Sequence, residues 1–283
     1  MAQPQEIKAN VRQLKAIILD VDGTLADTEE IHRQAFNQAF KEFELDWSWT
    51  PKIYGELLAI SGGRERIAYY GADLIGEFRS RDKFTRYVRD VHRLKTKIYR
   101  ELLHDGEIPL RPGVERLLNE SRESGLTLFI ATNSTFLNLK TLLDRNLPQD
   151  WISWFSEIAT CDTVTEKKPS PAVYHSALGA LHLDPACAIA IEDTVNGCVA
   201  ATSAGLTTLI TTHFFTRSHH FPAASLVVDN LGERNQPFML ISGDCSDSNI
   251  VDLALLEYLV EQKQCHLLDN RKGSLVTSVQ TYQ

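Results

Sequence analysis

A chain of 283 residues, 43% of them hydrophobic and 23% charged, can bury a sizeable core as one large domain or as one domain with a substantial insertion. Its formal charge of -8 excludes holding nucleic acid by bulk phosphate neutralisation, so an anionic ligand must be met by a local basic cluster. The five cysteines are odd in number and lack CxxC spacing, which disfavours a disulfide framework and a zinc site and points to small buried thiols in a reducing, cytoplasmic setting. No apolar run approaches a membrane span, and Met1 to Gln13 has no apolar signal core, so neither a membrane nor secretion is expected.

After the polar leader, residues 15 to 21 read as a buried strand that ends in Asp20 and Asp22, two carboxylates one residue apart. Like charges held this close repel unless a cation or a shared proton sits between them. A hard divalent cation such as Mg²⁺, which takes carboxylates together with phosphate oxygens, is the simplest occupant and points to phosphoryl chemistry. Thr28 is a candidate N-cap for a helix whose apolar positions Ile31, Ala35, Phe36, Ala39, Phe40 and Phe43 recur at helical spacing. Helical patterns continue through Tyr54 to Ile60, Glu65 to Tyr70 and Lys83 to Leu103, with no convincing strand before Glu107. Such a stretch is too long for an ordinary connection, so residues 27–107 are expected to form an inserted helical cap domain. Residues 1–26 and 108–283 would form the core, with 270–283 a loose polar tail.

From Pro112 a helix is expected to Ser124, and α/β alternation follows. Strands are expected over Leu126 to Ala131, Glu157 to Thr160, Ala186 to Ile191 and Leu206 to Ile210, and helices over Phe136 to Arg145, Pro171 to Ala180 and Val195 to Ala204. Ala224 to Val228 is a further candidate strand, and Ile250 to Val260 a further helix. Short continuous apolar strands between helices imply a parallel sheet covered on both faces, an α/β Rossmann-like fold whose ligands sit at the carboxyl ends of the strands. Polar residues follow each of the four strands that matter: Asp20 and Asp22; Thr132, Asn133 and Ser134; Lys167 and Lys168 before Pro169-Ser170-Pro171; and Glu192 and Asp193. If the sheet is parallel, all four sets face one crevice.

The set Asp20-x-Asp22-Gly23-Thr24-Leu25, Thr132, Lys168 in Lys-Pro-Ser-Pro, and Glu192-Asp193 resembles the four motifs of the haloacid dehalogenase-like hydrolases. The helical insertion resembles their helical-cap subclass. Residues 20 to 36, with Ser61-Gly62-Gly63-Arg64-Glu65-Arg66-Ile67, are similar to the CbbY proteins of the Calvin cycle, xylulose-1,5-bisphosphate phosphatases. The resemblance implies Asp20 as nucleophile, Asp22 as general acid and base, and Thr132 and Lys168 on the transferring phosphoryl group. It also implies Mg²⁺ held by the Asp20 carboxylate, the Asp22 carbonyl and Asp193, with Glu192 as a neighbouring carboxylate.

For a sugar bisphosphate, a second non-reacting phosphate needs cations of its own. The loop Gly62-Gly63-Arg64 and the segment His92 to Lys95 supply candidates, and the CbbY pattern implies sugar contacts from Asp27, with Asn133 and Ser134 beside the phosphoryl site. Asp27 and Arg64 stand where that pattern has Glu and Lys. The expected substrate is a small sugar phosphate or bisphosphate, and the expected state a monomer. A β-phosphoglucomutase-like mutase, a phosphoglycolate phosphatase and a non-catalytic binding protein are the competing readings. The last predicts a missing nucleophile or metal ligand, and none is missing. Bland readings also stand beside the sharp ones: Thr132 as a helix cap, Lys167 and Arg66 as solvated or locally paired cations, Trp47, Trp49 and Tyr54 as core, and His213, His219 and His220 as histidines without metal-ligand spacing.

Overall fold

A computed structural model describes residues 13–78 and 80–279, with side chains in the last helix described as far as 266. Seven strands form one sheet: β1 (Ala16–Leu19), β2 (Thr127–Ala131), β3 (Phe155–Ala159), β4 (Ala188–Glu192), β5 (Thr207–Thr211), β6 (Leu226–Val228) and β7 (Leu240–Gly243). Their order is β3-β2-β1-β4-β5-β6-β7, parallel from β3 to β6, with β7 antiparallel at the edge. All four residues of β1 are buried, as a central strand covered on both faces requires. Successive side chains point to opposite faces: Ile17 and Leu19 join the larger hydrophobic cluster, and Ala16 and Ile18 the smaller one built with α7 (Ala172–Leu181) and α8 (Val195–Ser203).

Between β1 and β2 the described chain forms helices and turns and no strand of the sheet. α1 (Glu29–Glu42), α2 (Pro51–Leu57), α3 (Gly63–Tyr70) and α4 (Arg81–Asp105) make this lobe, and α5 (Val114–Glu123) returns to the sheet. Thr50 caps α2 by accepting from Ile53 N at 3.3 Å, and Ser80 caps α4 by accepting from Lys83 N. The lobe's core is aromatic: Phe36, Phe40, Trp49 and Tyr54 are fully buried or nearly so and pack in tilted and edge-on pairs at centroid distances of 4.6–6.2 Å. A bridge between Ala26 and Leu110 brings the two ends of the lobe together beside the carboxyl end of β1.

Arg111 holds that junction. Its buried guanidinium donates to the carbonyls of Gly23, Thr212 (2.5 Å) and Asp229 (2.6 Å) and to the Thr211 hydroxyl (3.1 Å). One side chain thus ties the turn after β1 to the ends of β5 and β6, using the fixed fork of donors that only arginine offers.

Two features depart from expectation. β7 lies beyond the last expected strand, and its Leu240-Ile241 pair is too short for an alternating signal and remains exposed at the sheet edge. The last helix, α9 (Leu253–Val279), runs past the expected end near Val260, so the backbone of 270–279 is helical rather than a loose tail, and 280–283 lie outside the described residues. Val251, Leu255, Leu256, Leu259 and Val260 join the main core, and Lys263 donates to the carbonyls of Gly205 and Leu206. Apolar burial of the first two turns of α9, at about 1.5–3 kcal/mol per large side chain, anchors the helix on that core. Among the described residues no helix is long and apolar enough to cross a membrane.

Arg111→Leu should cost about 3 kcal/mol or more in urea unfolding, because several buried carbonyls lose a donor at about 1–3 kcal/mol each. Asp27→Ala should cost under about 0.5 kcal/mol, since the Asp27 side chain is 67% exposed and water screens its pairing with Arg111. A loss below about 1 kcal/mol for Arg111→Leu would remove it as the junction's clasp.

Candidate active site

Strand register brings the site together. Leu19 pairs with Ile130 on one side and Ile191 on the other, so Asp20, Ala131 and Glu192 are level at the carboxyl ends of three adjacent strands. Because the chain leaves β1 for β2 on one side and returns to β4 on the other, this is the sheet's topological switch point. Lys168, 3% exposed, enters between them: its ammonium donates to Asp20 Oδ1 at 2.6 Å, to the Ala131 carbonyl at 2.7 Å, and to Glu192 Oε1. The Tyr174 hydroxyl donates to the same Glu192 oxygen at 2.5 Å. Burial works against the Lys168 charge, but the charges of Asp20 and Glu192 outweigh it and hold the ammonium above its ordinary pKa.

Burial raises the Asp20 carboxyl well above the usual carboxylate range; Lys168 pulls it back, and Glu192 and Asp193 push it further up. Burial likewise lifts Asp193 to about 6 against the opposing effect of His213. Ligand-capable oxygens of Asp20, Glu192 and Asp193 all lie within 4.8 Å of one another, and all three residues are buried. Two of the three carboxylates share the Lys168 ammonium, and every donor is a hard oxygen, so the set suits a hard divalent cation. Glu192 is the most encumbered of the three, through Lys168 and Tyr174.

Asp22 is held differently. Its Oδ1 accepts from the Thr28 hydroxyl (2.7 Å), the Tyr99 hydroxyl (3.1 Å) and His32 Nε2 (3.3 Å). His32 stacks on Tyr99 with centroids 3.9 Å apart, and its Nδ1 meets Lys95 Nζ at 2.5 Å. An ammonium at Nδ1 leaves the imidazole proton on Nε2, where it can donate to Asp22. Burial would raise Asp22, yet His32, Thr28 and Tyr99 together bring it well below the usual carboxylate range. Burial lowers Lys95 to about 7. Thr28 is therefore not the side-chain N-cap the sequence suggested: it has helical backbone angles and makes no cap hydrogen bond, because its hydroxyl serves Asp22.

A cavity of about 830 Å³ opens over these groups, within the size range of small-molecule sites. From the sheet side Asp20, Asp22, Thr132, Asn133, Ser134, Lys168 and Asp193 line it; from the helical lobe Gly62, Gly63, Arg64, His92 and Lys95 do so. Asn133 joins the two sides, with Oδ1 accepting from Lys168 N at 3.1 Å and Nδ2 donating to Ser61 Oγ at 3.2 Å. Lys167 pairs instead with Glu65 of α3 at 2.7 Å. At the lobe end Arg64 has no hydrogen-bond or ion-pair partner among the described residues, and His92 is driven down to about 3 by burial and by Lys95, Arg64 and Lys167. Arg64 thus brings a positive charge there without a partner among the described residues, whereas the charge of Lys167 is offset by Glu65. Gly62 has a φ of +97°, and a Cβ there would lie 2.5 Å from Lys167 Nζ, so the loop needs glycine at that point.

Asp27 is placed elsewhere. Its side chain is 67% exposed, lies 3.4 Å from Arg111 Nε and is not among the cavity's lining residues. Two residues on, Glu29 lines the cavity and accepts from the Tyr54 hydroxyl at 2.5 Å. Arg66 turns inward to the Ile60 carbonyl (2.9 Å) and the Tyr54 hydroxyl (3.3 Å). Sequence reasoning did not single out Tyr99, Tyr174 or Glu29, and it gave His213 no role. Tyr99 was findable, one helical turn beyond Lys95, and His213 follows β5 as the motif residues follow their strands.

A family model described as haloacid dehalogenase-like hydrolase matches residues 17–211. The chain belongs to the haloacid dehalogenase-like hydrolases. A CbbY protein encoded on a plasmid of Cupriavidus necator is 43% identical over 224 residues, covering 79% of this chain and 88% of that one. A CbbY variant from Rhodobacter sphaeroides, crystallised with xylulose-(1,5)bisphosphate, superposes with a TM-score of 0.68 at 38% identity, covering 77% of this chain and 95% of that one. A phosphorylated carbohydrates phosphatase of Thermotoga maritima is 25% identical over 193 residues, 68% of this chain and 82% of that one. Within this hydrolase family the chain is a phosphatase.

The Asp22 arrangement sets a pH-dependent difference. A depressed carboxylate pKa contributes stability above its unfolded value, near 3.8, and that contribution is lost as pH falls through the folded value. Tyr99→Phe removes one donor, so it should cost about 1 kcal/mol near neutral pH, with the gap to the unmodified protein closing as pH drops below about 4. Urea unfolding across pH measures this, and a gap independent of pH would count against the assignment.

Proposed function

We propose that this phosphatase hydrolyses a small phosphorylated sugar, xylulose-1,5-bisphosphate, to xylulose 5-phosphate and inorganic phosphate, with Mg²⁺ as its cofactor. The observation that carries the reading is a cavity with two separate cationic ends: Lys168 beside Asp20 on the sheet, and Arg64 beside neutral His92 toward the lobe. A monophosphate of a two-carbon acid leaves the second end without a partner, whereas a bisphosphate fills both. The CbbY relatives, one of them crystallised with this bisphosphate, support the same substrate.

In this reading Asp20 attacks phosphorus and becomes an aspartyl phosphate while the sugar oxygen departs, and water then attacks that phosphorus to free phosphate and regenerate Asp20. Lys168 holds the Asp20 carboxylate and offsets charge on the phosphoryl oxygens; Thr132 and the polar groups of Asn133 and Ser134 orient them. Asp20, Asp193 and the Asp22 carbonyl would hold Mg²⁺, with Glu192 beside them, and bound Mg²⁺ supplies charge neutralisation of the phosphoryl oxygens. Asp22 exchanges the protons. Ionised by its three donors, it is ready to take a proton from the attacking water, and a substrate dianion brought beside it raises its affinity for the proton it gives to the leaving oxygen.

Asp20→Asn should lower phosphate release at least about a thousandfold with the fold intact by circular dichroism; a variant keeping most of its activity removes Asp20 as nucleophile. A phosphate-release screen over mono- and bisphosphorylated sugars, with chelator and with Mg²⁺ restored, should rank xylulose-1,5-bisphosphate first and show dependence on the metal. Arg64→Ala should raise KM for the bisphosphate about tenfold or more and leave a monophosphate's KM nearly unchanged. A monophosphate ranking well above the bisphosphate, or sugar-phosphate isomers forming in place of free phosphate, would overturn the substrate or the reaction type respectively.

A further inference from the structure

Asp193 has a partner from outside the four strand-end motifs. His213, two residues beyond β5, is buried against it, with Nε2 3.0 Å from Asp193 Oδ2. The imidazole is fixed on its other side as well. Phe215 N donates to His213 Nδ1 at 3.3 Å, so Nδ1 presents its lone pair and Nε2 carries the proton that reaches Asp193.

The loop bearing the histidine is itself braced. His213 N donates to the Thr216 hydroxyl at 3.1 Å, and the His213 carbonyl accepts from Thr216 N and Arg217 N at 3.0 and 2.9 Å. Phe215 packs edge-on against Tyr54 of α2, with centroids 5.3 Å apart. Space for the contact comes from Gly23, whose φ is +86° and where a Cβ would lie 2.2 Å from Asp193 Oδ2 and 2.9 Å from His213 Nε2. The glycine beside the nucleophile's strand therefore admits the Asp193–His213 pair as well as turning the chain. Asp193 Oδ1, by contrast, has only a long contact of 3.5 Å with the Thr24 hydroxyl.

We propose that His213 is a positioning residue for the metal: its Nε2–H fixes Asp193 through Oδ2 and leaves Oδ1 as the freer oxygen for the cation. The inference rests on the Mg²⁺ reading given above. A hydrogen bond from outside the ligand set holds a ligating carboxylate in one orientation, and removing such a partner commonly weakens metal affinity 10–100-fold.

The test is Mn²⁺ binding to the full chain without substrate, followed by the electron paramagnetic resonance of free Mn²⁺ and by competition with Mg²⁺, beside thermal melts. His213→Ala should raise the Mn²⁺ Kd about tenfold or more, and His213→Gln, whose amide nitrogen reaches nearly as far as Nε2, should recover most of the loss. Activity assays should then show a higher half-saturating Mg²⁺ with kcat at saturating Mg²⁺ nearly unchanged. If His213→Ala does not fold, His213→Asn replaces it as a polar side chain too short to reach Asp193, and its affinity should fall as well. A shortened variant that binds Mn²⁺ within twofold of the unmodified protein, or a Gln variant no better than Ala, overturns the role of the Nε2 donor while leaving the metal site standing. An unmodified protein that binds neither Mn²⁺ nor Mg²⁺ overturns the metal reading and this inference together.

Discussion

The site depends on one buried cation. Among the described residues Lys168 is the only ammonium in contact with Asp20 and Glu192, at the point where three parallel strands end level with one another. Without it two carboxylates would face each other at a desolvated sheet edge, and they would take up protons rather than stay ionised. The lysine needs them equally, since an unpaired ammonium in that position would lose its own charge. This mutual requirement explains why the lysine's remaining hydrogen bond goes to the Ala131 carbonyl rather than to solvent. Lys168 also draws down the proton affinity of Asp20 that burial and the acidic neighbours raise.

The two aspartates of the first motif are separated by their surroundings more than by their spacing. Asp20 shares a lysine with other acids, and its negative neighbours raise its proton affinity. Asp22 has neutral donors and a histidine backed by Lys95, which lower it. Groups of the same chemical type thus acquire opposite tendencies, the pattern by which paired carboxylates divide nucleophilic and proton-transfer work.

The parallel sheet and most of its strands were legible because buried strands read as short apolar runs, and because three of the four motifs sit at the end of one of them. The lobe was legible as an absence of strands over a length no loop would occupy. What the sequence did not reveal was chiefly long-range pairing of single side chains. Arg111 looks like an ordinary surface arginine before a proline until its carbonyl partners, about 100 residues away along the chain, are seen. Spacing along the chain sets His213 only beside its neighbouring histidines, whereas its partner Asp193 directly follows β4. Asp27 and Glu29 differ by two positions, and only the entry of the chain into α1 decides which carboxylate meets the cavity and which meets Arg111. β7 and α9 lie beyond the residues matched by the family model, so resemblance could not inform them, and periodicity alone understated how far α9 runs.

Two of the donors to Asp22, His32 and Tyr99, come from α1 and α4, although Asp22 itself belongs to the sheet domain's first turn. The helical lobe therefore serves as the local solvent of the Asp22 carboxylate, replacing water with fixed dipoles. A lobe exchanged for another would bring a different solvent for that acid and with it a different proton affinity.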